Sequence, residues 1–233
     1  MSDALLRDRV ILVTGATGAL GSVAARACAR AGATVVLLAR KVRKLEQVYD
    51  EILAAGGPTP AIYPLDLAGA TEQDYADLAE TLERELGGLH GVMHAAAELG
   101  FLRPLADLDA AAWQRLLLVN LTAPFLLTRA LTGLLTASGG GRVVFVGDSG
   151  VGDGKAFWGA YGVAKLGLAG YARILDAGTG NRGLRAELFT PGPMRSPIRL
   201  RAYPGENLAE LPLPDIHAEH LVSLFGTPSP TTV

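Results

Sequence analysis

Tyr161 and Lys165 stand as Tyr-x-x-x-Lys within Phe157–Leu175, a stretch that reads as a helix. That spacing puts both side chains on one helix face, one turn apart. A free phenol has a pKa of about 10 and moves protons poorly at neutral pH. A neighbouring ammonium favours the phenolate and brings that value toward the working range. The pair is an acid–base candidate, although the same spacing is common on solvated helix faces. Asn120 is an independent candidate, because Pro124 follows it inside a long helical stretch. Proline has no N–H, so the Asn120 carbonyl loses its partner in the helix ladder. A carbonyl freed in this way can hold an ordered water; the plainer alternative is a tolerated proline kink.

Gly15, Gly18 and Gly21 sit between an apolar, branched run, Val10–Val13, and a run of helix formers, Ala19–Ala31, that closes at Gly32. Thr34–Ala39 follows as a second apolar strand. A strand-turn-helix-strand unit with glycines in its first turn lets the backbone approach a pyrophosphate and aims helix N-terminal N–H groups at it. The bland reading is a plain glycine-rich turn.

The elements that must position these residues alternate along the chain. Helices read at Val42–Ala55, Thr71–Leu86, Ala110–Leu135, Phe157–Leu175 and Asp215–Phe225, the second opening on a capping box, Thr71 and Asp74. Strands read at Ala61–Leu65, Leu89–His94, Arg142–Val146 and Leu184–Phe189. Such alternation predicts one α/β domain over residues 1–226 with a doubly wound parallel sheet and ligands at the carboxyl ends of its strands. Residues 227–233 read as a disordered tail.

Length and composition agree. The 233 residues suffice for a substantial core, with 49% hydrophobic and 19% charged residues. A net charge of −2 and no long basic run argue against nucleic acid or anionic membrane as the main partner. Cys28 is the only cysteine, which excludes a disulfide or a thiolate metal cluster within one chain, and no metal is expected. The first ten residues lack a signal-peptide core, and no apolar stretch approaches about 18 residues, so a cytoplasmic protein is expected.

The motifs in order, Thr14-Gly15 through Gly21, Asp66-Leu67, Asn120 within VNLTAPF, Tyr161-x-x-x-Lys165 and Pro191-Gly192, resemble the short-chain dehydrogenase/reductase family from about Leu6 to Phe225. The likeness is nearest to a bacterial subgroup of NAD(P)-binding oxidoreductases with poorly defined substrates; the GAY before Lys165 and Trp158 fit it. The resemblance implies a Rossmann-type fold and hydride transfer between a nicotinamide and a carbonyl or alcohol. It implies Tyr161 as acid–base, Lys165 on the nicotinamide ribose and lowering the tyrosine pKa, and Asn120 holding a relay water. It also implies a cofactor site of Thr14, Gly15, Thr17, Gly18, Ala19, Leu20, Gly21, Arg40, Asp66, Leu67, Ala95, Ala96, Tyr161, Lys165, Pro191, Gly192, Met194 and Ser196.

The chain departs from the family pattern at several points. Position 19, usually the middle glycine, is Ala19, with the glycine at 18. The usual Asn-Asn-Ala-Gly reads His94-Ala95-Ala96-Ala97, which removes an asparagine that ties strands; a buried, hydrogen-bonded His94 is favoured over a new acid–base. The family serine, 13 residues before the tyrosine, is Asp148, with Ser149 next. No counterpart of the family's last strand is expected after Phe225. Adjacent strand residues face opposite sides, and Gly147 and Gly150 permit an irregular backbone. The expectation is that Ser149 turns inward and acts in catalysis while Asp148 turns away. The converse would leave a carboxylate that only accepts and raises the Tyr161 pKa, favouring a nucleotide-binding sensor or structural protein with little turnover.

Ala39 occupies the slot where NAD sites usually carry an acid, and Arg40, Lys41 and Arg43 follow. NADP(H) is therefore expected over NAD(H). A homodimer is expected through the two long helices. The substrate would be a small molecule held by loops around Leu99–Leu105, Gly150–Trp158 and Met194–Leu211, the last a candidate mobile lid.

Overall fold

The computed structural model describes residues 5–226; the tail expected at 227–233 lies outside them. Six parallel strands, β1 (Val10–Thr14), β2 (Thr34–Ala39), β3 (Ala61–Pro64), β4 (Gly91–His94), β5 (Gly141–Val146) and β6 (Leu184–Phe189), form one sheet in the order β3-β2-β1-β4-β5-β6. The chain winds outward from β1 in one direction and resumes at β4 in the other, so the strand order reverses between β1 and β4. The strands alternate sides, as their period of two requires. Ile11, Val13, Val35 and Leu37 pack with α1 (Ala19–Arg30), α2 (Val42–Ala54) and, farther along the chain, Leu221 and Phe225. Val10, Leu12, Val36 and Leu38 pack with α3 (Glu72–Leu86) and the helices that follow it. Both faces are covered, which is why the strands are continuously apolar. The single-domain, doubly wound expectation holds.

Local chemistry explains both ends of α3. The Thr71 side chain accepts from the Asp74 N–H while the Asp74 carboxylate accepts from the Thr71 N–H, the reciprocal cap read from the sequence. Gly87 closes α3 in the left-handed region, at φ +74°. The stretch expected as one helix from Ala110 to Leu135 is instead α4 (Ala110–Leu117), a π-helical turn at Leu118–Thr122, and α5 (Ala123–Ala137). The wider turn lies immediately before Ala123-Pro124, where the proline cannot donate to Asn120. By length and composition Ala110–Ala137 could cross a membrane, a correction to the expectation that no stretch approaches that length; here Leu127, Leu131 and Leu135 are buried against the sheet.

After β5 comes α6 (Gly159–Thr179), two residues later at its start and four longer at its end than expected. The segment expected as a lid contains a short helix, α7 (Pro197–Ala202), that the sequence reading missed. It is tied down: Arg199 forks onto Glu206, Arg195 donates to the Leu211 and Ala209 carbonyls, and Arg201 donates to Gly100 O. The last expected helix is a 3-10 turn, Pro214–His217, followed by α8 (Ala218–Ser223).

Phe225 is fully buried just beyond α8. A Cβ at Gly91 would lie 2.5 Å from its ring, so β4 begins with glycine to admit it. Phe225→Ala is expected to cost about 3–5 kcal/mol, read by urea unfolding; a loss below about 1 kcal/mol would show that this end of the chain adds nothing to the core.

Candidate active site

The reversal of strand order leaves a cleft of about 420 Å³ at the carboxyl ends of β1 and β4. Its floor is the turn from β1 to α1. Gly15 has φ +63°, and a Cβ there would lie 2.7 Å from the Ala96 backbone. A Cβ at Gly21 would lie 2.2 Å from the Gly15 carbonyl oxygen. Both positions therefore demand glycine, and the departure at Ala19 leaves this packing intact. Gly18 is the N-cap of α1 and supplies no side-chain cap, and no acid lies in the first turn. The first N–H groups of α1 are left for a ligand, and Gly15 and Thr17 to Gly21 all line the cleft.

Among the other expected cofactor residues, Arg40, Asp66, Leu67, Ala95, Ala96, Tyr161, Lys165, Pro191, Gly192, Met194 and Ser196 line the same cleft. Thr14 does not. Its side chain is buried; its hydroxyl donates to Met93 O at 3.3 Å and accepts from the Ala96 N–H at 3.2 Å. Thr14 thus ties β1 to the end of β4, next to the point where the family's asparagine is missing. Lys44 lines the cleft with Arg40 and Lys41, whereas Arg43 does not.

His94 is buried, with Nε2 2.8 Å from the Thr128 hydroxyl and its ring stacked on Phe145 at 4.9 Å. Burial lowers its pKa to about 3. It is a neutral core side chain, as favoured from the sequence.

Tyr161 and Lys165 lie one turn apart on α6, both buried where they border the cleft. Lys165 Nζ donates to Val146 O at 2.7 Å and lies 5.6 Å from the Tyr161 ring centroid. Burial lowers Lys165 to about 8, against the opposing pull of Asp148. Asn120 is buried in the π turn and does not line the cleft. Its amide donates to Glu98 O and Leu116 O, and its Oδ1 accepts from the Glu98 N–H. The side chain thus fixes the strand-four loop against the helix, a role that the type of residue alone did not reveal.

Asp148, expected to turn away, faces Tyr161. The Tyr161 hydroxyl donates to Asp148 Oδ2 at 2.6 Å, and the Gly150 N–H donates to Oδ1 at 2.8 Å. Ser149 borders the cleft, but its hydroxyl donates to Pro191 O at 3.0 Å. The glycines do not re-aim Ser149. The Gly147 N–H continues the ladder to Phe189 O, and a Cβ at Gly147 would lie 2.5 Å from the Thr190 hydroxyl. That glycine is spent on close approach between strands, and Gly150 closes a turn on the Asp148 carboxylate. Burial first, then the Asp148 charge and hydrogen bond, push the Tyr161 pKa well above the phenol range.

Two of the loops expected to hold substrate, Gly150–Trp158 and Met194–Leu211, supply the far wall, where Trp158 and Tyr203 rings lie 6.0 Å apart and the Arg199 guanidinium lies 3.8 Å from the Tyr203 ring centroid.

The family model for short chain dehydrogenases matches residues 9–207. The "Uncharacterized oxidoreductase YciK" of Escherichia coli K12 is 39% identical over 210 residues, covering 90% of this chain and 83% of its own. A short chain dehydrogenase structure from Pseudomonas syringae superposes with TM-score 0.93 at 41% identity, covering 99% of this chain and 94% of that one. Another, from Escherichia coli CFT073 in complex with NADPH, gives TM-score 0.92 at 39% identity, with coverage of 97% and 94%.

His94 gives this region a pH signature. Its folded pKa of about 3 lies below the ordinary 6.5, so between these values the unfolded chain binds the extra proton. The stability it contributes is present above 6.5 and is lost as pH falls toward 3. His94→Gln is expected to flatten the acid-side slope of unfolding free energy by one proton, about 1.4 kcal/mol per pH unit. Urea unfolding from about pH 4.5 to 6.5 checks it; identical slopes would mean that His94 does not titrate on unfolding.

Proposed function

Because the chain belongs to the short-chain dehydrogenase/reductase family and is an oxidoreductase of that family, we propose that it prefers NADP(H) over NAD(H) and acts on a small molecule with a polarised double bond. In the family's usual case that bond is a carbonyl, paired with the alcohol. The observation that carries the cofactor reading is the cluster of Arg40, Lys41 and Lys44 at the cleft, beside Ala39 where an acid would repel a 2′-phosphate. The glycine turn and the uncapped start of α1 suit the pyrophosphate, Asp66 suits adenine, and Lys165 suits the nicotinamide ribose. When bound, the nicotinamide supplies or accepts a hydride. Tyr161 holds the proton nearest the reacting position, and Asn120 anchors the loop that carries Glu98 rather than meeting substrate itself.

A second reading has its own observation. The hydrogen bond from Tyr161 to Asp148 and the raised tyrosine pKa oppose phenolate formation. That favours a protein with weak turnover of carbonyls, acting as an NADP(H)-binding sensor.

We also propose a cytoplasmic homodimer through α5 and α6. Val163, Leu166 and Ile174 form an exposed apolar stripe along α6, and exposed Phe125 of α5 meets Tyr171 edge-on at 5.9 Å. Light scattering at micromolar concentration is expected to give twice the chain mass, and Leu166→Asp the monomer; a wild-type monomer or tetramer would rule this arrangement out.

Calorimetric titration is expected to give a Kd for NADPH about 10–100-fold below that for NADH, the range of one or two charge-assisted bonds. Arg40→Asp should reverse the order. Equal affinities in the wild type would remove the NADP(H) reading.

A further inference from the structure

Resting on the oxidoreductase reading above, we propose that the bond reduced at this site is a C=N whose nitrogen carries a proton, as in an iminium or a ring-embedded amidinium. The polar atoms beside Tyr161 carry this inference. Both oxygens of Asp148 accept, from the Tyr161 O–H at 2.6 Å and the Gly150 N–H at 2.8 Å, so the side chain presents acceptors to the cleft. It is half-buried, borders the cleft, and among the described residues has no cation within 4.0 Å.

The donors that could greet a carbonyl oxygen are engaged elsewhere. The Tyr161 hydroxyl donates to Asp148 and the Ser149 hydroxyl to Pro191 O. Three cations beside Tyr161 and the aromatic wall also have partners, whereas Arg40, Lys41 and Lys44 stand at the Ala39 end of the cleft. Lys165 donates to Val146 O, Arg199 forks onto Glu206, and Lys155 donates to the Tyr203 hydroxyl at 3.0 Å. A carbonyl oxygen beside Asp148 would set lone pair against lone pair. A protonated C=N would meet an acceptor and a counter-charge in one group. The Trp158 and Tyr203 rings give a planar ring a wall to lie against; Lys155 and Arg199 already lie over those rings, so Asp148 alone recognises the charge.

The chemistry balances without a proton from Tyr161. The substrate carbon gains the hydride supplied by NADPH, which is oxidised to NADP+, and the C=N π pair becomes the nitrogen lone pair. The proton already on nitrogen remains there. A tyrosine held in its neutral form is then a positioning residue for Asp148.

The test uses the full chain with NADPH and shape-matched probes. Benzamidinium is expected to bind the NADPH-loaded protein about tenfold more tightly than acetophenone by calorimetry, and Asp148→Asn to erase the difference while NADPH affinity is unchanged. In turnover, 3,4-dihydroisoquinoline is expected to exceed 1-tetralone about 100-fold in kcat/KM, and Asp148→Ser to move that ratio toward the ketone. Equal binding of the two probes, or a ketone preference in the wild type, overturns the C=N assignment and leaves the NADP(H) reading standing. Benzamidinium selectivity that vanishes in Asp148→Asn, with neither probe reduced, supports the ligand class and instead overturns the oxidoreductase reading of this site.

Discussion

The contact among Gly15, Gly21 and Ala96 sets the geometry on which the rest depends. At Gly15 the backbone of the first turn lies where a side chain would strike the end of β4, and at Gly21 the first turn of α1 lies against the Gly15 carbonyl. This close approach fixes where α1 starts, how β1 and β4 diverge and how wide the cleft between them is. Thr14 locks the same seam with its hydroxyl, bridging to Met93 and Ala96. Everything that faces the cleft, from Arg40 at one end to Tyr161 at the other, inherits its position from that seam.

The layers were legible because they follow from burial. Strands covered on both faces read as unbroken apolar runs, and β2 and β6 match their expected bounds residue for residue. The capping box of α3 was legible because both partners are local in sequence. What escaped depends on longer range or finer balance. The π turn within Ala110–Ala137 carries no composition signal of its own. The short α7 is stabilised by the Ser196 cap and by arginine bonds across the lid rather than by helical periodicity. The choice between Asp148 and Ser149 rests on partners distant in sequence, the Tyr161 hydroxyl for one and Pro191 O for the other.

Charge inside the site is arranged against intuition. A lysine one turn from a tyrosine ordinarily eases phenolate formation, but here the lysine is itself weakened by burial and donates to a backbone carbonyl. The carboxylate, not the ammonium, makes the direct bond to the phenol. With Asp148 where the family carries serine, the site beside Tyr161 is acceptor-rich where the family pattern is donor-rich.

The two ends of the sheet carry one further consequence. Among the described residues, β3 and β6 each have one flank without a partner strand, and open flanks invite neighbouring chains to add on. β3 has four residues and ends in Pro64, which leaves little backbone to template anything. β6 is longer, and Arg185 and Glu187 are exposed along it, with Arg185 held by Asp176. A second chain approaching that flank would have to strip water from fixed charges before pairing. The sheet is thereby discouraged from growing into fibrils, and its solubility in a crowded solution is defended by a proline on one border and an ion pair on the other.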